Sequence, residues 1–175
     1  PGGDSKIYQT HHQWTSDGKW LIFRSQRAGG QAMAVNEETG EMVQVTESGY
    51  TGMLCVADNS MRLYFLRNVR PPAAATAAPA AEGAPGQGQG RGGPRGPVQV
   101  IMVDLAKLFA DSAAQTMKAA SEYEHVLATI PAEMGANDMA LDPTEEFAYV
   151  REGREEAAKH LAPDTKLEPS RGNRG

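Results

Sequence analysis

Two adjacent histidines, His11 and His12, open the stretch HHQWTSDGKWLIF, and two arginines, Arg24 and Arg27, follow in FRSQRAGG. A neutral imidazole can take up a proton or ligate a divalent metal, and a guanidinium can grip a carboxylate through two parallel hydrogen bonds. Whether these groups act together depends on the backbone that carries them. Neighbouring residues of a strand point to opposite sides, so His11 and His12 cannot coordinate one ion from a regular strand. Gln9 and His11, two positions apart, share a face and form the better contact pair. The formal charge of −5 and pI near 5.4 mean that any anionic ligand needs locally placed arginines. With no run of Lys or Arg longer than two, nucleic acid and anionic membrane surfaces are poor candidate partners.

The elements that must position these groups emerge from a repeat. WTSDGKWLIFRS (14–25), CVADNSMRLYFLR (55–67) and MALDPTEEFAYVR (139–151) each place an apolar start, an aspartate, a turn and an aromatic strand in that order. Asp17 and Asp58 lie 41 positions apart, and Asp58 and Asp142 lie 84 apart, one period lengthened by inserted sequence. Each unit predicts a hairpin in which the Asp side chain bonds its own turn; in SDGK the glycine supplies the positive φ. QAMAVNEE (31–38) and MVQVT (42–46) add a third and a fourth strand to the first unit, as do VQVIMVDL (98–105) and YEHVLATI (123–130) in the second. Four antiparallel strands per period of about 40 residues make the blade of a β-propeller.

The expected fold class is therefore all-β: a partial propeller over residues 1–151, with blade one at about 7–46, blade two at about 51–130 and the start of blade three at about 137–151. Propellers close with about four to eight blades, so this chain is expected to be part of something longer, with the remaining blades of the same propeller as its nearest partners. Residues 71–97 hold 21 Pro, Gly or Ala among 27 positions and read as a disordered insertion between the second and third strands of blade two. Behind it, AKLFADSAAQTMKAASE places Leu108, Phe109 and Met117 at near-helical spacing and predicts a short surface helix. Residues 152–175, with His160, read as a flexible polar tail. The single Cys55 excludes an internal disulfide and reads as a small buried side chain. No apolar stretch is long enough to span a membrane. Trp14, Trp20, Phe23, Tyr64, Phe65, Phe147 and Tyr149 are expected to pack between blades; Arg24, Arg27 and Arg67 read most simply as solvated hairpin ends, and His125 as structural or exposed.

The pattern W-T-x-D-G-K-x-(apolar)-x-F-x-S-x-R, followed by A-V-N-x-E-T-G-E-x-x-Q-(apolar)-T, resembles the repeats of TolB-type propellers. More narrowly, residues 7–151, with YQTHHQWTSDGKWLIFRSQRAGGQAMAVNEETGEMVQVTESGY and the later VDLAKL and HVLATIPAE, resemble the opening blades of oligogalacturonate lyases, the insertion being unmatched. That resemblance implies a seven-bladed propeller that cleaves oligogalacturonides by β-elimination with the help of a divalent metal, usually manganese. The C5 proton of a galacturonate is weakly acidic, so a cation must neutralise the neighbouring carboxylate while a base such as histidine removes the proton. By the same resemblance the main metal ligands and the catalytic base lie in later blades, and no catalytic residue is assigned here. The family motif has two histidines two residues apart before a similar turn; only His11 fills one of those positions, which makes it the candidate metal ligand. Gln9, His11, Arg24 and Arg27 are the candidate substrate contacts. Two other readings stand beside the lyase: a non-catalytic TolB-like propeller that binds protein partners, and the propeller domain of a serine peptidase, whose G-x-S-x-G turn these residues lack.

Overall fold

The computed structural model describes residues 4–6, 12–69 and 96–153, with only the backbone of 4–6. Of the expected insertion at 71–97 all but the last two residues, of the expected tail at 152–175 all but the first two, and the candidates Gln9 and His11 lie outside the described residues. Among the described residues ten strands form three antiparallel sheets. The first orders β1 (Asp4–Lys6), β2 (Trp20–Ser25), β3 (Gln31–Asn36) and β4 (Met42–Gln44) side by side. The second orders β5 (Thr51–Val56), β6 (Arg62–Asn68), β7 (Val98–Asp104) and β8 (Glu124–Ile130) in the same way. In the third, β9 (Asp138–Leu141) pairs with β10 (Ala148–Arg151). Two four-stranded meanders and a leading hairpin, each joined to the next in chain order, make an all-β, partial propeller-like fold.

All three predicted hairpins form, the first and third about their aspartates. Asp17 Oδ1 accepts the Lys19 amide at 3.1 Å and the Thr15 hydroxyl at 2.6 Å, while Gly18 takes φ +71°. A side chain at Gly18 would meet no neighbour, so glycine is favoured there by its backbone angle alone. Asp142 binds its own turn through the amides of Thr144 and Phe147, at 3.1 and 2.8 Å, and the Thr144 hydroxyl. These bonds hold its carboxyl below the usual carboxylate range, with the Thr144 hydroxyl first among the causes.

β6 of blade two is buried on both faces, which explains why LYFL at 63–66 is continuously apolar rather than alternating. Leu63 and Phe65 join Leu54, Val56, Ile101 and Val103 against Trp20, Ile22, Ala32, Ala34, Val43 and Val45 of blade one. Tyr64 and Leu66 point the other way and, with Cys55, Ala57, Val98 and Val100, meet Met139 of the third hairpin. The core therefore consists of two interblade layers separated by one sheet.

The helix expected after β7 forms as α1 (Leu105–Ala113), where Asp104 caps the first turn by accepting the Lys107 amide at 2.9 Å. Leu105, Leu108 and Phe109 are its buried face, and Phe109 stacks on Trp20 of blade one with ring centroids 4.0 Å apart and planes 5° from parallel. An insertion of blade two thus fastens it to blade one. No described helix is long and apolar enough to cross a membrane.

Two packing expectations are overturned. Phe147 and Tyr149 are 60% and 63% exposed. The alternation of β10 turns Val150 toward blade two and leaves Tyr149 on the opposite face, where no described sheet covers it. Arg67 is not a solvated hairpin end. Its guanidinium forms a two-point ion pair with Glu124 of β8 at 2.6 and 2.8 Å, and its Nε donates to the Gly49 carbonyl at 2.9 Å. The two side chains are only 17% and 7% exposed, and the guanidinium also lies over the Phe65 ring.

Candidate functional site

The chain entering blade one carries the candidate histidines, and its register with β2 is broken. Lys6 lies opposite Phe23, whereas Trp14 lies opposite Leu21. Two steps along β2 are thus matched by eight along the incoming chain, so Trp14 does not continue the strand that holds Lys6. The rule that adjacent residues alternate in direction applies to an unbroken strand, and it does not fix the direction of His12 here. The Gln13 carbonyl accepts the Ile22 amide at 2.8 Å, which anchors the chain again immediately after His12.

His12 emerges at a cleft of about 300 Å³ between blade two and the third hairpin, lined by His12, Cys55, Asp58, Leu141, Asp142 and Glu145 among others. Its Nδ1 stands 3.8 Å from Asp58 Oδ1, and both side chains are about half exposed. Asp58 departs from the pattern of its counterparts Asp17 and Asp142, which cap their own turns. The blade-two turn is capped instead by Glu145 of the next hairpin, which accepts the Asn59 amide at 2.7 Å on one carboxylate oxygen and the Ser60 hydroxyl on the other. Asp58 is thereby left facing His12 across the cleft.

The remaining polar groups of the cleft are committed to structure. Asp142 holds its own turn, and Cys55 donates through Sγ to the Met139 carbonyl at 3.3 Å. Burial, followed by the nearby charge of Asp138, pushes the Cys55 thiol up to about 12. It stays protonated at physiological pH and is a poor nucleophile. The cleft can thus offer an imidazole and a carboxylate to a polar group entering from solvent. Among the described residues no group of three or more His, Cys, Asp or Glu is arranged to hold a metal ion, so these residues by themselves do not fit a manganese site.

The other candidates are not brought to this cleft. Arg24 is exposed near the far end of β2, its guanidinium carbon 5.8 Å from the centre of the Tyr50 ring and its Nη2 at 3.3 Å from where a Cβ on Gly30 would lie. Arg27 is exposed in the turn that follows. His125 is exposed on β8. Sequence reasoning missed Glu145, whose bonds run to another blade. No local sign marks it, since Asp142 closes on Phe147 over four residues just as Thr15 closes on Trp20.

No family model matches this chain, and no curated protein matches it. Among solved structures it is similar to one described as a TolB, from Agrobacterium tumefaciens, at 18% identity and a TM-score of 0.41. The match covers 80% of this chain and 41% of that one, so the chain spans about two fifths of that structure's length.

Proposed function

We propose that this chain is the blade-forming part of a TolB-like propeller that serves as a binding module for protein partners. The observation that supports this reading is the outermost strand of blade two. Among the described residues β8, seven residues long, pairs only with β7 in its sheet, and it is exposed along its middle. The register shifts between Val100 and Ile101, where Leu127 is the unmatched residue of β8, and Val126 and Leu127 are 56% and 55% exposed. A strand of this length with a free edge and adjoining apolar side chains can accept an extended segment of another protein by main-chain pairing. By contrast, the outermost strand of blade one, β4, has three residues.

A photo-crosslinking residue at position 127, introduced into the protein in its native host, tests the reading. The expected result is one discrete protein adduct that disappears when Val126→Pro blocks the strand edge. Absence of any adduct at 127, or an adduct indifferent to V126P, would count against it.

The oligogalacturonate lyase reading rests on the sequence resemblance. In that reading His11 contributes to a manganese site completed by further blades, and Arg24 and Arg27 contact the uronate. Release of unsaturated uronate from digalacturonate, dependent on manganese and lost on His11→Ala, is the outcome it requires of the protein with its ring of blades complete.

A further inference from the structure

The two interblade layers differ in how they are held. The layer between blades one and two contains the large buried side chains Trp20, Ile22, Leu63, Phe65, Leu108 and Phe109. The third hairpin contributes Met139 as its one fully buried strand residue, with Leu141 and Val150 partly buried. Polar ties occur at both, Ser112 on Glu41 and Ser121 on Glu47 at the first, and at the second a tie between turns that bears a larger share of the contact. Glu145 bonds the Asn59 amide and the Ser60 hydroxyl, and the Asn59 side-chain amide donates to the Pro143 carbonyl at 2.7 Å. Glu145 takes φ +61°, a left-handed backbone that residues other than glycine rarely adopt. A residue held there against its preference, with both carboxylate oxygens bonded across the interface, marks a contact on which the local geometry depends.

We infer that the β9–β10 hairpin is a hinged leaf latched to blade two by Glu145, and that release of the latch opens the cleft shared by His12 and Asp58 while blades one and two stay together. The hairpin carries half of the cleft wall, through Ala140, Leu141, Asp142 and Glu145. Its departure therefore removes that wall and uncovers the Tyr64 and Leu66 face of β6. The same movement takes the Met139 carbonyl away from the Cys55 thiol, which gives the opening a chemical reporter. This inference concerns the 175-residue chain, in which no described sheet packs on the Phe147 and Tyr149 face of the hairpin.

The test uses the 175-residue chain, in which Cys55 is the single thiol. Glu145→Gly removes the carboxylate while relieving the left-handed backbone, so it separates loss of the latch from added strain. The expected result is alkylation of Cys55 on the order of tenfold faster than in the parent under native conditions, the scale set by two charge-assisted bonds lost in part to water. Amide exchange of β9 and β10 should rise in parallel, with β2 and β3 unchanged. Ser60→Ala, made on the opposite side of the latch, should give a smaller increase that does not add to that of E145G. The inference is overturned if E145G leaves Cys55 labelling unchanged. It is equally overturned if β2 and β3 lose protection in the same proportion as β9 and β10, because the thiol then reports global unfolding.

Discussion

Replacing Phe109 by alanine removes a ring that is 7% exposed and stacked face to face on Trp20, itself 7% exposed, at 4.0 Å. Large-to-small changes at buried phenylalanines cost about 3–5 kcal/mol, the spread reflecting how far the surroundings collapse into the space. Helix α1 is a short insertion joined to blade two at both ends, so it can settle toward blade one and the lower end applies, about 3 kcal/mol. Phe109→Leu keeps most of the apolar area and loses mainly the ring pairing, about 1 kcal/mol. Urea unfolding followed both by tryptophan emission and by far-ultraviolet circular dichroism measures both values. Trp20 belongs to blade one and Phe109 to blade two, so the F109A emission transition should also move to lower urea than the dichroism transition. A cost for F109A below about 1 kcal/mol, or equal costs for the two variants, would refute the claim that this stack fastens the blades.

Arg67→Ala should destabilise by about 3 kcal/mol, because it strands the Glu124 carboxylate in a nearly closed environment; a double replacement by Met and Leu should recover most of the loss in the same denaturation assay. Cys55 binds its proton more tightly folded than unfolded, so above pH 9 the unfolded chain loses a proton that the folded chain keeps. Stability should therefore fall as pH rises from 9 toward 12, by at most about 1.4 kcal/mol per unit from this group, and Cys55→Ala should remove that part of the slope. The Asp142 carboxyl is held low when folded, so its contribution is present above its ordinary value of 3.8 and disappears as pH falls through the folded one. Asp142→Asn should consequently flatten the acid limb of the unfolding profile. Leu127→Lys should change stability by less than about 0.5 kcal/mol, since the side chain is more than half exposed.

The hairpins were legible because their causes are local. An aspartate, a turn and alternating apolar residues act within a few positions, and β2, β3, β7 and β8 fall within a residue or two of the expected limits. The helix was legible from the spacing of Leu105, Leu108 and Phe109, although Met117, read with them, lies beyond its end at Ala113. Contacts between residues distant in sequence leave no such trace. Glu145 is one of two glutamates in an ordinary polar turn until it is found beneath Asn59 and Ser60, and Arg67 looks like a hairpin end until Glu124 arrives from a strand 57 positions away. The same limit explains the error over Phe147 and Tyr149. Periodicity says that two faces alternate, but which face meets a neighbour depends on the neighbour.

The hairpin of β6 and β7 is zipped to its very end: Asn68 pairs with Val98, and beyond them the Val69 amide donates to the Pro97 carbonyl at 2.7 Å. This closed end fixes the two points that any connection between Val69 and Pro97 must join, and the entropy of closing such a loop grows only with the logarithm of its length. Doubling the connection would cost about 0.6 kcal/mol. The blade therefore tolerates wide variation in the length of this connection, and an engineered domain placed there should leave β6 and β7 paired.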